Sequence, residues 1–255
     1  MKKSIVKPIV GAFVLTALAL SSCKSGFYVS GSSGVAMPIT AVYDAKQHAG
    51  THAIVSAYRQ KVDSIMSPVI GHSAGNYSRY RPESPMSNLM ADVLFVSAEQ
   101  KSGQSVDVAI MNMGGIRSDL SKGAITYGDI FEIAPFENCL CVATMKGEVL
   151  KELFEQVAMV GGEGLSGARM QMSKDGKLLS VEVNGQPIDS QKTYRVATID
   201  YLAAGNDKML AFLKSEKKEF PGKITLRDLF FEYVRALEQQ GKPVTAAIEG
   251  RIVVL

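Results

Sequence analysis

Apolar positions recur at helical spacing in four stretches of the chain. Ala53, Ile54, Ala57, Tyr58, Val62 and Ile65 mark a helix within Asp44–Met66, stopped by Pro68. A second helix is predicted over about Pro85–Gln100. A third, over Gly147–Met159, puts Val149, Leu150, Leu153, Phe154 and Val157 on one side. The fourth starts after Thr225, a residue type suited to capping, and runs to about Gln240 before Gly241. The leading helix, with its own apolar stripe, is expected to pack against the domain that follows.

Between these stretches the apolar runs are short and read as strands. They fall at Val69–His72, Val106–Met111, near Ile125, Asn138–Met145, Ala168–Met172, Leu178–Val183, Tyr194–Ile199 and Ala247–Val254. A turn of helix is expected at Gly128–Ile133, a Gly-rich loop at Gly161–Gly167, and a tight turn at Asn184-Gly185. Strands and helices mix without strict βαβ alternation, which predicts an α+β class with a single mixed-sheet domain. With 255 residues, 46% of them hydrophobic, the chain is too apolar for intrinsic disorder.

The start of the chain changes the charge picture. Lys2, Lys3 and Lys7 precede an apolar run from Ile9 to Leu20, and then comes Leu20-Ser21-Ser22-Cys23. This reads as a lipoprotein signal peptide over residues 1–22, with cleavage before Cys23 and acylation of its thiol. The apolar run is too short to cross a bilayer stably. The formal net charge is +3, but the signal holds three lysines and no acid, so 25 basic and 25 acidic groups remain. That balance speaks against a nucleic-acid partner held by bulk phosphate attraction. The expected organisation is a signal at 1–22, a Gly- and Ser-rich tether at 23–43, a leading helix at 44–66 and a domain at 67–255. The location that follows is the cell envelope, with the membrane reached through the lipid anchor.

Several motifs fail on context. Gly71-His72-Ser73-Ala74-Gly75 fits the nucleophile-elbow pattern, yet a polar loop follows it and no histidine occurs later in the chain. Gly162-Glu163-Gly164-Leu165-Ser166-Gly167 fits a dinucleotide fingerprint but follows a helix and precedes a strand, the reverse of what phosphate binding needs. Asp44, His48 and His52 share a helical spacing, but a solvated face explains them better than a metal site. Cys139 and Cys141, two apart in a strand, are poorly placed to bridge and read as small buried residues.

Three strand-end segments carry more chemistry. Met111-Asn112-Met113-Gly114-Gly115-Ile116-Arg117 joins a glycine pair to two directional donors; Pro135-Phe136-Glu137-Asn138 and Tyr201 through Asp207 each add an aromatic. Together they offer the groups that sandwich a planar base and bind sugar hydroxyls. Spacing alone favours core packing for Phe136 and Tyr201.

At these residues the chain resembles the C-terminal domain of bacterial and animal 5'-nucleotidases of the UDP-sugar hydrolase type. The resemblance covers about Pro68–Leu255. It rests on Arg81-Pro82-Glu83-Ser84 with Ser87–Asp92, Asn112–Arg117, Gly123–Asp129, Pro135–Asn138, Tyr194–Thr198 and Tyr201–Asp207. By that resemblance Phe136 and Tyr201 stack on a base, Asn112 hydrogen-bonds it, Arg117 and Asp207 engage ribose and neighbouring phosphate, and Arg79, with Arg81 as its rival, meets the substrate upstream. The chain departs from the family where Gly205-Asn206-Asp207-Lys208-Met209 replaces Gly-Gly-Asp-Gly-Tyr.

In the family, hydrolysis belongs to an N-terminal domain with two metal ions, and too few residues precede Pro68 here to form it. The resemblance therefore implies a nucleoside- or nucleotide-binding protein without catalytic residues or cofactor of its own. It would work in nucleotide catabolism beside a separate metallophosphatase polypeptide that carries the divalent metal pair. The alternative is a stand-alone nucleoside-binding protein for uptake.

Overall fold

The computed structural model describes residues 27–46 and 48–255, which fall into two units, Met1–His52 and Ala53–Leu255. The signal segment and Cys23 lie outside the described residues. In the first unit, residues 27–40 lack regular structure and Ala41–Lys46 form a 3-10 turn. The predicted leading helix forms over Ala49–Met66, but its expected packing does not: none of its residues is buried, and Ile54, Tyr58, Val62 and Ile65 face solvent. Periodicity dictates which side of a helix is apolar; it does not supply a partner for that side.

The described strands, in chain order, are β1 (Val69–Ser73), β2 (Val108–Met111), β3 (Gly123–Thr126), β4 (Leu140–Lys146), β5 (Gly164–Ser166) and β6 (Ala168–Met172). They continue as β7 (Leu178–Val183), β8 (Gln186–Pro187), β9 (Thr193–Ile199), β10 (Lys217–Glu219) and β11 (Ile252–Val254). A five-stranded sheet in the order β10-β4-β9-β2-β5 forms the centre of the second unit, and β11-β6-β7-β8 and the β1-β3 pair complete it. In the central sheet β2 and β9 run parallel, while β4 is antiparallel to β9 and β5 to β2. All four residues of β2 are buried, as a strand covered on both faces requires.

One cover is the helix Pro85–Ser102. Ser84 caps it by accepting from the Ser87 N–H while the Ser87 hydroxyl accepts from the Ser84 N–H, and Pro85 stands at its first position. This helix lies against β2 and β5 and also against the helix Leu226–Gln239, so residues around its circumference are buried, including Met86, Leu89, Met90, Val93 and Leu94. Helix Gly147–Met159 covers β4 and β9, burying the predicted Leu150, Leu153, Phe154 and Val157. Thr225 caps the Leu226–Gln239 helix through the Asp228 N–H as expected. Asn184-Gly185 forms the predicted turn, joining Val183 and Gln186 as paired positions.

Two strand expectations need correction. The stretch read as a Gly-rich loop contains β5, because Gly164–Ser166 pairs with Met111–Ala109 at the sheet edge. The final strand is only Ile252–Val254 rather than Ala247–Val254. Its approach is held by side-chain bonds instead: the buried Glu83 accepts from the N–H groups of Glu249 and Ile252 and from Asn88. Burial pushes the Glu83 carboxyl up, but these hydrogen bonds outweigh it and leave the group below its ordinary value.

Candidate functional site

Three chain segments meet at one end of the central sheet because of how its strands run. β2 and β9 are parallel, so the residues that follow them, Asn112 after Met111 and Tyr201 after Ile199, emerge together. β4 is antiparallel to β9 with Leu140 opposite Ile199, so Phe136–Asn138 enter at that same end. Diverging connections at strand ends leave a crevice. Here it is a cavity of about 290 Å³ lined by Asn112, Gly114, Gly115, Phe136, Asn138, Tyr201 and Asp207.

Phe136 is 45% and Tyr201 39% exposed. The core packing that spacing favoured for these rings is therefore wrong; both present apolar surface to the cavity. Helix Tyr127–Ile133 ends just before Phe136, and the single helical turn Asp200–Ala203 begins just before Tyr201, so each ring stands on a short connection. The Arg117 guanidinium sits 5.9 Å from the centre of the Phe136 ring, and its Nη1 donates to the Gly114 carbonyl. Arg117 thus stands beside a ring of the cavity without itself lining it.

Asp207 ties the opposite walls together. Asn112 Nδ2 donates to Asp207 Oδ2 at 2.6 Å, and the Tyr201 hydroxyl donates to Asp207 Oδ1 at 3.1 Å. The hydrogen bond to Asp207, with the carboxylate charge, raises the Tyr201 phenol above its ordinary value. Asp207 (φ 52°) and Lys208 (φ 67°) both occupy the left-handed region, an unfavourable pair for non-glycine residues. Such strain collects at sites where surrounding structure holds it for a purpose. Asn112 is 3% exposed, and its Oδ1 is buried with no hydrogen-bond partner. An unpaired buried acceptor is costly, and here it is covered by the chain itself. Gly115 packs closely over it: a Cβ there would lie 2.7 Å from Asn112 Oδ1.

Arg79, the weakest sequence candidate, does not join the group. Its side chain is exposed, its backbone N–H donates to Asp119, and it does not line the cavity. Its rival Arg81 is engaged elsewhere, donating from Nη1 to the Gly162 carbonyl at 2.9 Å and from Nη2 to Glu163 Oε1 at 2.6 Å. Glu163 is a residue that sequence reasoning missed. Its side chain is 1% exposed, and it also accepts from the N–H of Met113, the neighbour of Asn112. Burial pushes the Glu163 carboxyl up to about 7, against the pull of Met113 and Arg81, and the Asp207 charge adds to the rise. A charged residue between glycines carries no sign of burial in the sequence.

The motifs set aside in the sequence have structural partners. His72 pairs with Glu238 and Ser73 donates to the Gly75 carbonyl, so they form no nucleophile pair. Gly162 and Gly164 serve backbone packing, since a Cβ would meet the Pro82 carbonyl oxygen at 2.4 Å and that of Ser87 at 2.6 Å. Cys141 is buried, and burial pushes its thiol up to about 12. Cys139, expected to be buried as well, is only half-buried and donates weakly to the carbonyls of Glu137 and Lys223. Among the described residues there is no group of three or more His, Cys, Asp or Glu side chains placed to hold a metal ion. A second cavity of about 280 Å³, lined by Arg169, Glu182, Asn184, Glu249 and Arg251 among others, has no aromatic wall.

Comparison with known proteins agrees with this picture. Residues 69–215 match the family described as 5'-nucleotidase, C-terminal domain. The chain is 27% identical over 202 residues to Protein UshA of Escherichia coli K12, covering 77% of this chain and 35% of that protein. It is 33% identical over 186 residues to the trifunctional nucleotide phosphoesterase protein YfkN of Bacillus subtilis 168, covering 67% of this chain and 12% of that one. The 5'-nucleotidase precursor from Thermus thermophilus superposes with a TM-score of 0.71 at 28% identity, over 81% of this chain and 43% of the Thermus chain. The chain thus spans less than half the length of each.

Proposed function

This chain belongs to the 5'-nucleotidase C-terminal domain family, and on that premise we propose that it holds a nucleoside or nucleotide in the cavity at the sheet end. The observation that carries the reading is the convergence of two partly exposed rings, Phe136 and Tyr201, on one cavity whose wall also holds Asn112 and Asp207. A planar base offers a face to each ring, while Asn112, Asp207 and the neighbouring Arg117 supply polar groups for base, sugar hydroxyls and charge. At about 290 Å³ the cavity falls just under the usual span of ligand clefts, about 300–1,000 Å³, which suits a single nucleoside.

The chain itself binds and orients. Hydrolysis, the work of a metal pair, is assigned to a separate metallophosphatase polypeptide, and the two act together in nucleotide breakdown. Cys23, acylated after removal of residues 1–22, anchors the protein at a membrane of the cell envelope.

Isothermal titration of the purified protein with adenosine and AMP tests the binding. Micromolar affinity is expected for the wild type and weakened binding for Phe136→Ala. Absence of heat with both ligands, wild type and variant alike, overturns the reading. Phosphate release from AMP that rises when a metallophosphatase encoded beside this protein is added tests the partnership. Labelling with radioactive palmitate, lost in Cys23→Ala, tests the anchor.

A further inference from the structure

Phe136 sits on the connection between helix Tyr127–Ile133 and β4, outside the buried core. A ring so placed needs something else to fix it, because a loose side chain loses freedom when a ligand stacks on it, and that loss weakens binding. The hold comes from the start of helix Leu226–Gln239, 90 positions beyond Glu137. Arg227 Nη1 donates to the Pro135 carbonyl at 3.3 Å and Nη2 to Glu137 Oε1 at 2.9 Å, so one guanidinium grips the residue on each side of Phe136. The Leu226 N–H donates to the Asn138 carbonyl at 2.8 Å, and the Leu140 N–H to that of Ile224 at 3.0 Å. These bonds continue the hold from Pro135 to the first residue of β4.

The guanidinium is well placed to serve as an anchor: its side chain is 9% exposed and lies 4.8 Å from the centre of the Phe131 ring. Glu137 is 83% exposed, so its side chain contributes no core packing. It lies between two residues that line the cavity, Phe136 and Asn138, without lining it itself. From this geometry we infer that Arg227 is a positioning residue for the stacking wall: by holding Pro135 and Glu137, it presets the Phe136 ring before a base arrives. Arginine suits the task because its rigid fork reaches two acceptors at once, whereas a lysine delivers a single point of charge. The inference rests on the nucleoside-site reading above.

The test is calorimetric titration of adenosine and AMP into wild type, Glu137→Ala, Glu137→Gln and Arg227→Lys, with each substitution also made in a Phe136→Ala background and melting temperatures taken alongside. Glu137→Ala and Glu137→Gln both lose the carboxylate charge and differ in the acceptor offered to Arg227. Glu137→Ala is expected to weaken binding by about three- to tenfold, the scale of ordering one loose side chain, and Glu137→Gln to restore most of that loss. Arg227→Lys should weaken binding on the same scale. In the Phe136→Ala background none of the three should cost further affinity, since the ring through which Arg227 acts is gone. Unchanged affinity in a folded Glu137→Ala overturns the inference, even where that variant melts lower, because the pair is then merely structural. A Glu137→Gln no better than Glu137→Ala overturns it, as does an equal loss in the Phe136→Ala background. If Arg227→Lys does not fold, the two Glu137 variants decide. Heat from neither ligand with the wild type overturns the nucleoside-site reading and this inference with it; wild-type binding that Glu137→Ala leaves unchanged overturns the inference and leaves that reading standing.

Discussion

Replacing Glu163 by Gln should make the protein more stable at alkaline than at acid pH relative to the wild type. The side chain is 1% exposed, and its carboxyl sits at about 7 against an ordinary 4.5. Between those two values the folded protein holds a proton on Glu163 that the unfolded chain has released. Raising the pH through that window therefore favours unfolding, and the loss is complete above about pH 7. Each pH unit of displacement is worth about 1.4 kcal/mol, so from pH 5 to pH 8 the wild type should lose on the order of 2 to 3 kcal/mol that Gln, which does not titrate, keeps. Gln preserves the acceptor for the Met113 N–H, and every other titrating group cancels in the comparison. Thermal melts of both proteins at pH 5, 6, 7 and 8 read the effect. For a domain of this size the difference in Tm should widen by roughly 5 to 10 °C across the series. Parallel profiles, or a wild type that gains on the variant as pH rises, would show that Arg81 holds Glu163 ionised throughout and would refute the reasoning.

Other expectations are simpler. Phe136→Ala and Tyr201→Ala should each weaken nucleoside binding by about 1 to 3 kcal/mol in titration calorimetry, with melting temperatures little changed because neither ring belongs to the buried core. Arg117→Ala removes a guanidinium over the Phe136 ring and should cost binding about 0.5 to 1 kcal/mol by the same measurement. Gly164→Ala should destabilise the fold by about 1 to 3 kcal/mol in urea denaturation, since the added methyl lies 2.6 Å from the Ser87 carbonyl oxygen and neither backbone can yield. A Gly164→Ala variant as stable as wild type would mean that β5 and helix Pro85–Ser102 lie further apart.

What the sequence by itself determined is what local chemistry controls. Apolar spacing located Gly147–Met159 to the residue, Thr225 announced the last helix, and Asn184-Gly185 announced its turn, because propensity, capping and turn geometry act within a few positions. The ordered blocks around Asn112, Phe136 and Tyr201 identified the family. Tertiary structure decided the remainder. The stretch Gly164–Ser166 became a strand because β2 offered it an open edge, and no pattern within three residues encodes that pairing. Phe136 and Tyr201 lie on connections, and only the parallel run of β2 and β9 with the antiparallel β4 brings them to one cavity instead of the core. The ion pair of Arg81 with Glu163 spans 82 positions of sequence, so it arises from the packing of two distant turns. Nor could spacing say that the stripe on Ala49–Met66 would stay uncovered. A side chain's pattern records its own polarity, while its neighbours, and hence its burial, charge state and use, are set by the rest of the chain folding around it.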